Sequence, residues 1–139
     1  MPDVQPPSPF YRVAVKALIR DADDRLLVLK NRHGEWELPG GGWEHGESLH
    51  DCITREIYEE LCEHVSSVGE PLFMYRGYNR RRAYMALRIV VPVTLEDDDF
   101  MLGDGMQEAR FVSREVFLEL DLTSAEGNLD DYADRIWPA

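Results

Sequence analysis

The sequence predicts a mixed α/β domain in which strands and helices pack in layers. Two observations favour this class: several segments alternate apolar and polar residues as strands do, and one strongly amphipathic helix lies among them. The order of these segments is not that of a βαβ repeat. With 139 residues the chain has the size of one domain. We expect the proline-rich residues 1–9 to be an extended leader and residues 10–139 to form the domain.

The first half of the chain predicts two strands and a glycine-rich loop. Residues 10–19 and 25–30 alternate as strands, and the acidic turn residues between them predict that the two strands form a hairpin. A short apolar segment follows at residues 36–38. We expect residues 39–42, a proline and three glycines, to lie outside regular structure, where the backbone approaches another group closely.

The strongest helix signal begins at Ser48. Ser48 and Asp51 resemble a capping box, with Asp in the usual position of Glu. The apolar residues that follow recur every four positions and predict one buried stripe: Leu49, Ile53, Ile57 and Leu61.

The second half predicts strands at residues 73–79, 83–93 and 108–112. Ser113 is expected to cap a helix that runs to Leu120, and a last short helix is expected over residues 129–136.

The charge balance limits the classes of partner. The chain has 15 Lys and Arg against 27 Asp and Glu, a net charge of −12. Such a surface repels phosphate backbones and anionic lipids, which excludes a nucleic-acid scaffold or a membrane as partner. No apolar run approaches the roughly 18 residues of a membrane span, and residues 1–9 do not resemble a signal peptide. We expect a cytoplasmic monomer or homodimer that acts on a small molecule.

The two cysteines support the same compartment. Cys52 and Cys62 lie ten residues apart in the predicted helix, which places them about 15 Å apart, too far for a disulfide. We therefore expect two free thiols, as in a reducing cytoplasm.

Three carboxylates of the helix form the first candidate site. Glu56, Glu59 and Glu60 share one helix face within a single turn, where like charges repel. A divalent cation such as Mg²⁺ would offset that repulsion, because it prefers oxygen ligands; the alternative is a solvated acidic face. The preceding glycines favour the metal site, because Gly41 and Gly42 can bring backbone groups close to a phosphate.

The spacing of these residues resembles the box of the Nudix hydrolases. The matching residues are Gly41-x5-Glu47-x7-Arg55-Glu56-Ile57-x-Glu59-Glu60. Cys62 and Glu63 depart from the family pattern, which has glycine and an aliphatic residue there. These two positions end the helix and carry no ligand, so the helix either runs on or ends through a different cap.

The resemblance implies a fold, a reaction and a set of ligands. Similar proteins form a three-layer α/β/α sandwich around a mixed β-sheet, and they hydrolyse a nucleoside diphosphate linked to another group. The implied cofactor is Mg²⁺, with Mn²⁺ as the alternative, and the implied substrate is a small nucleotide. The implied metal ligands are Glu56, Glu59, Glu60 and the Gly40 carbonyl. Glu47 and Arg55 are implied as an orienting pair.

The general base stays open between two positions. In some relatives it is the Glu after the box Arg, here Glu56. In others it is an acidic residue on a late loop, for which Glu108 is the candidate, with Asp104 nearby. The alternative for both late residues is a solvated turn.

The candidate residues for substrate recognition each have a structural alternative. Arg80 lies in a run of three arginines with Arg76 and Arg88 on the flanking strands, which predicts a phosphate site, a site for a partner or a charged hairpin tip. Several aromatic residues are candidates for stacking on a nucleobase or for packing in the core: Trp43, Tyr75, Tyr78 and Tyr84.

Two other functional classes stay open. A Nudix-fold module that binds a nucleotide without cleaving it usually lacks box carboxylates, whereas this chain keeps all four glutamates. An isomerase of prenyl diphosphates on the same fold needs a catalytic cysteine outside the box, whereas both cysteines here lie in the box helix. Both comparisons favour the hydrolase.

Overall fold

The computed structural model describes residues 5, 7–79, 83–122 and 128–139. The described residues form the following strands: β1 (Tyr11–Leu18), β2 (Leu26–Lys30), β3 (Trp36–Glu37), β4 (Gly40–Gly42), β5 (Val65–Val68), β6 (Phe73–Asn79), β7 (Tyr84–Leu95) and β8 (Glu108–Val112). They also form these helices: α1 (Leu49–Leu61), α2 (Arg114–Glu119), a 3₁₀ turn (Leu129–Tyr132) and α3 (Ala133–Ile136). Residues 1–4 and 6 of the expected leader lie outside the described residues, as do positions 80–82 with Arg80.

The strands form two sheets. The larger has the order β4-β1-β7-β5, and β6 pairs with the first half of β7. Strand β1 runs parallel to β7 and antiparallel to β4, so this sheet is mixed, as the resemblance implies. The smaller sheet has the order β3-β2-β8, all antiparallel.

Helices cover both sides of the strands and give the expected three layers. On one side, Ile53, Ile57 and Leu61 of α1 are buried in one core cluster. On the other side, Phe117 and Ile136 of the C-terminal helices are buried in a second. Alternate residues of the strands enter the two cores: in β2, Leu27 and Leu29 face α1, whereas Leu26 and Val28 face the C-terminal helices.

The predicted hairpin of the first two strands forms only around its turn. Strand β1 pairs with β7 along all eight of its residues and with β4 on its other edge, so neither edge is free for β2. Beyond the end of β1, Arg20 bridges Leu26, and backbone hydrogen bonds join residues 19 and 27 and residues 21 and 25. Strand β2 then enters the smaller sheet.

Two further strands differ from the prediction. Residues 40–42, expected outside regular structure, form β4 opposite residues 14–16 of β1. Strand β5 was not predicted, because Ser66 and Ser67 at its centre are exposed and its burial shows no alternation. The bounds of β6 and β8 agree with the prediction, and the last predicted helix is divided into the 3₁₀ turn and α3.

Candidate active site

Helix α1 begins at the predicted cap. The Ser48 hydroxyl accepts a hydrogen bond from the Asp51 N–H at 3.0 Å, and the Asp51 carboxylate accepts one from the Ser48 N–H at 3.4 Å. This reciprocal pair confirms the capping box. The helix ends at Cys62, which has φ 53° and donates its N–H to the Tyr58 carbonyl. Cys62 adopts the left-handed conformation that glycine usually fills after a helix, so the helix does not run on.

Arg55 connects the glutamates of the box. Its Nε and Nη2 donate to the two carboxylate oxygens of Glu47 at 2.7 and 3.0 Å. Its Nη1 donates to Glu56 at 3.0 Å and to Glu59 at 3.3 Å. Nη2 also donates to the Gly42 carbonyl at 3.1 Å. The hydrogen bonds from Arg55 hold the pKa of Glu47 below its usual value, so this carboxylate is ionised.

The three glycines of β4 are required for three different reasons. Gly40 has φ 129°, and a Cβ there would lie 2.1 Å from the Val15 carbonyl oxygen. A Cβ on Gly41 would lie 2.6 Å from the carboxyl carbon of Glu56, and one on Gly42 would lie 2.5 Å from Nη2 of Arg12. The backbone of β1 therefore occupies the space of a side chain at Gly40, and side chains of α1 and β1 occupy that space at Gly41 and Gly42.

Glu60 is buried against the start of this strand. Its Oε1 accepts a hydrogen bond from the Gly40 N–H at 2.7 Å, and the residue is only 3% exposed. Burial raises the pKa of Glu60 well above its usual value, although the charge of Lys16 acts in the opposite direction. Burial likewise raises the pKa of Glu56, against the charge of Arg55. Both carboxylates lack full compensation of their charge, which a cation would supply.

The carboxylates match a metal ion in chemistry but do not converge on one point. Among the described residues, no three His, Cys, Asp or Glu side chains are placed to hold one ion. Glu56 and Glu59 both face Nη1 of Arg55, whereas Glu60 faces the Gly40 N–H. The donor set nevertheless fits Mg²⁺ or Mn²⁺, because it consists of carboxylate oxygens beside a glycine backbone.

A cleft of about 400 Å³ lies along β4. The three glycines and Glu56 form one part of its wall, with Glu37 and Glu44. Cationic residues of β1 and β7 form another part, with Tyr84 and Asn79 also lining it; the cations are Arg12, Lys16 and Arg88. The cleft thus contains carboxylates and cations in one space, which suits a metal-bound anion. A larger cavity, about 690 Å³, lies beside the end of β7, and none of the box residues lines it.

Several residues expected to bind substrate are placed elsewhere. Trp43 donates its Nε1–H to the Glu47 carbonyl at 2.9 Å and packs against the core beneath α1. Tyr78 is 53% exposed and pairs with Met85, so strand alternation places it on the sheet face opposite Tyr84. Gly41 and Gly42 line the cleft as expected. Tyr75 is buried in the core near the C-terminal helices.

Glu108 does not line the cleft either. It is the first residue of β8, and its carboxylate lies 2.9 Å from Nη2 of Arg110. Asp104 has φ 47° in the preceding loop, and its carbonyl accepts a hydrogen bond from Arg32. Of these three acidic residues, Glu56 is the one that lines the cleft.

Sequence reasoning missed four charged residues of the cleft. Arg12 and Lys16 lie on the same face of β1, and Glu37 and Glu44 flank the glycines. The signal for the first two was the alternation of residues 10–19, which places charged side chains on one face of an otherwise apolar strand.

Comparison with known proteins identifies the same family that the box residues resemble. Residues 10–132 match the NUDIX domain. The chain belongs to the Nudix family. It is 30% identical to nucleoside triphosphatase NudI of Escherichia fergusonii, a match that covers 86% of this chain and 70% of the relative. The protein is thus a Nudix pyrophosphohydrolase, and Nudix hydrolases generally use divalent metal ions.

Solved structures confirm the fold. The MutT protein of Methanosarcina mazei has a TM-score of 0.79 at 24% identity, with 96% of each chain covered. A Nudix hydrolase of Nitrosomonas europaea has a TM-score of 0.74 at 20% identity, covering 92% of this chain and 88% of its own. In the described part of this Nudix chain, no helix is long and apolar enough to span a membrane.

Proposed function

We propose that this Nudix protein hydrolyses a phosphoanhydride of a nucleoside diphosphate linked to another group, with Mg²⁺ or Mn²⁺ as cofactor. We further propose that the linked group is a phosphate, so that the substrate is a nucleoside triphosphate. The observation that carries the proposal is the contact of the Glu56 carboxylate with Gly41, because it places a carboxylate in the cleft that also contains the cations. The name of the NudI relatives, nucleoside triphosphatase, supports the substrate.

The metal would be held by Glu56, Glu59, Glu60 and the Gly40 carbonyl. A divalent ion bound there neutralises phosphate charge and lowers the pKa of bound water. Arg55 holds Glu56 and Glu59 by hydrogen bonds and is itself held by both oxygens of Glu47. This pairing orients the carboxylates before substrate binds.

Glu56 is the proposed proton acceptor. The oxygen of a water molecule attacks phosphorus, the bond from that phosphorus to the bridging oxygen breaks, and the water proton passes to Oε of Glu56. Glu56 lines the cleft, which places its carboxylate in the space where water and substrate would meet. No described serine, cysteine or histidine lines the cleft, so the proposal has no covalent step.

A substrate panel tests the reaction. The protein is incubated with Mg²⁺ or Mn²⁺ in ¹⁸O-labelled water, and the products are identified by mass spectrometry. The substrates are nucleoside triphosphates, nucleoside diphosphates, ADP-ribose, NADH and diadenosine polyphosphates. We expect one labelled phosphate product and one nucleotide product, with the highest rate on a triphosphate. Turnover of p-nitrophenyl phosphate alone would refute the mechanism. If none of the nucleotides is hydrolysed, the result would favour a non-catalytic binding module.

Three variants test the base. Glu56→Gln is expected to lower kcat by about 10²- to 10⁴-fold, the usual contribution of a general base. Glu108→Gln is expected to keep kcat within a few-fold, because Glu108 does not line the cleft. Glu119→Gln on exposed α2 is the matched control for loss of one negative charge. A large loss in Glu108→Gln with little loss in Glu56→Gln would assign the base to the late residue instead.

A further inference from the structure

The cleft contains three cations in a chain whose net charge is −12. Strand alternation places Arg12 and Lys16 on one face of β1. The parallel register of β1 and β7 sets Arg88 beside Ala14, between them. Three positive charges therefore share a small area of sheet, and all three line the cleft.

Two of these cations are buried, and the third, Arg12, is half-buried. Lys16 is 6% exposed and Arg88 is 4% exposed. Removing a charged side chain from water costs several kcal/mol unless other charges or dipoles compensate it. A stable fold alone does not require two buried cations and a half-buried third on one face of a strand pair, so the cluster points to a function.

Local contacts distinguish the three side chains. Lys16 donates from Nζ to the Leu38 carbonyl at 3.1 Å, and its charge offsets those of Glu56 and Glu60. Lys16 is thus part of the support of the carboxylates.

The two arginines are positioned differently. Arg12 donates from Nη1 to the Trp43 carbonyl at 3.0 Å and lies against Gly42, and the Arg88 guanidinium lies 5.7 Å from the centre of the Tyr75 ring. These contacts fix the guanidinium groups while leaving both in the wall of the cleft.

We propose that Arg12 and Arg88 are specificity-determining residues. They bind the phosphates of the substrate other than the one nearest the metal-binding glutamates, and so select a triphosphate over a diphosphate. The inference rests on the proposed function and names two residues that set its substrate. Arg12 lies opposite Ala86 and Arg88 lies opposite Ala14, so ordinary strand geometry places their Cα atoms about 8 Å apart. The guanidinium groups of two residues this close, both in the wall of the cleft, can contact neighbouring phosphates. Each offers donors in the planar arrangement that phosphate oxygens accept.

Binding of uncleavable analogues tests this proposal without turnover. The probes are a nucleoside triphosphate and the corresponding diphosphate whose bridging oxygens are replaced by methylene groups, titrated by calorimetry in the presence of Mg²⁺. The wild-type protein is expected to bind the triphosphate analogue at least tenfold more tightly. Arg12→Gln and Arg88→Gln are each expected to weaken triphosphate binding about tenfold or more, and diphosphate binding much less, since each loses a charge-assisted hydrogen bond.

Two further variants keep the test informative if a buried substitution disturbs folding. Arg88→Lys keeps the charge and is expected to retain more affinity than Arg88→Gln. Gly42→Ala keeps Arg12 but displaces its guanidinium, so it is expected to reproduce part of the Arg12→Gln effect. Arg25→Gln is the matched control, because Arg25 forms its ion pair with Asp21 in the β1–β2 turn and does not line the cleft.

The outcomes separate this proposal from the proposed function. Unchanged binding in Arg12→Gln and Arg88→Gln, or equal losses for both analogues, would overturn the specificity role even if the wild-type protein hydrolyses nucleotides. A protein that cleaves no nucleotide, yet binds the triphosphate analogue through both arginines, would overturn the hydrolase and support the binding role. Equal losses in Arg25→Gln would show a general effect of net charge and would also overturn the specificity role.

Discussion

Replacing Gly41 by alanine displaces a carboxylate without removing it. The added Cβ would lie 2.6 Å from the carboxyl carbon of Glu56, whereas ordinary contact begins at about 3.4 Å. The carboxylate must therefore retreat by about 0.8 Å. Misplacing a reacting group by about 1 Å costs about a hundredfold in rate, so kcat is expected to fall about a hundredfold, or about 2.7 kcal/mol of activation free energy.

Stability is expected to change little in Gly41→Ala. Gly41 lies in strand β4 with an ordinary extended backbone, and the atoms that meet the new Cβ belong to a side chain. Glycine to alanine at a compatible position restricts the unfolded chain and contributes about 0.4–1 kcal/mol of stability, which offsets the displacement of Glu56. The assay is therefore steady-state turnover at saturating Mg²⁺ and nucleotide, with thermal unfolding of the same preparation.

The neighbouring glycines provide the controls. Gly40→Ala is expected to destabilise the fold, because its Cβ would lie 2.1 Å from a backbone oxygen at φ 129°. Gly42→Ala is expected to raise KM more than it lowers kcat, because it displaces Arg12 rather than Glu56. A Gly41→Ala protein that unfolds at the wild-type temperature and keeps kcat within twofold would refute the reasoning. It would show that the position of the Glu56 carboxylate does not matter for the reaction.

Three other predictions concern the box helix. Glu60→Gln keeps the oxygen that accepts the Gly40 N–H but removes the charge of a metal ligand. We therefore expect kcat to fall about a hundredfold or more with the fold intact. Mg²⁺ is expected to raise the Tm of the wild type more than that of the variant. Arg55→Lys cannot bind both oxygens of Glu47, so a 10- to 100-fold loss of kcat is expected, and wild-type turnover would contradict the orienting role. Burial raises the pKa of the Cys52 thiol to about 11, whereas Cys62 is exposed. A thiol reagent at pH 8 is therefore expected to modify one cysteine quickly, and Cys62→Ser should abolish that fast phase; a fast phase that persists in this variant would be inconsistent with a buried Cys52.

Local signals predicted the elements whose structure depends on near neighbours. The capping residues and the four-residue spacing of apolar side chains fixed helix α1, and alternation fixed the bounds of β6 and β8. Local sequence patterns also predicted the first two strands, but they did not predict which strands these two pair with. A turn between two strands is consistent with a hairpin, whereas the observed partner of β1 is β7, about 70 residues later.

The box was predictable because its parts lie within about 20 residues, on one strand, one helix and the loop between them. The family resemblance implied that Glu47 and Arg55 form a pair, and the structure shows the two hydrogen bonds between them. The cations of the cleft were not predictable in this way. Arg12 and Arg88 are 76 positions apart, and only the parallel register of β1 and β7 brings them to one face.

Strand β4 connects the two halves of the site, which gives its glycines a different role from the one expected. In a loop, three glycines would provide unusual dihedral angles, but only Gly40 has a left-handed φ here. Gly41 and Gly42 matter instead because they lack side chains: the Glu56 carboxylate lies against the first and the Arg12 guanidinium against the second. A carboxylate from α1 and a cation from β1 can reach the same cleft only across a strand without side chains. Single methyl groups at adjacent positions should therefore perturb catalysis and phosphate binding separately.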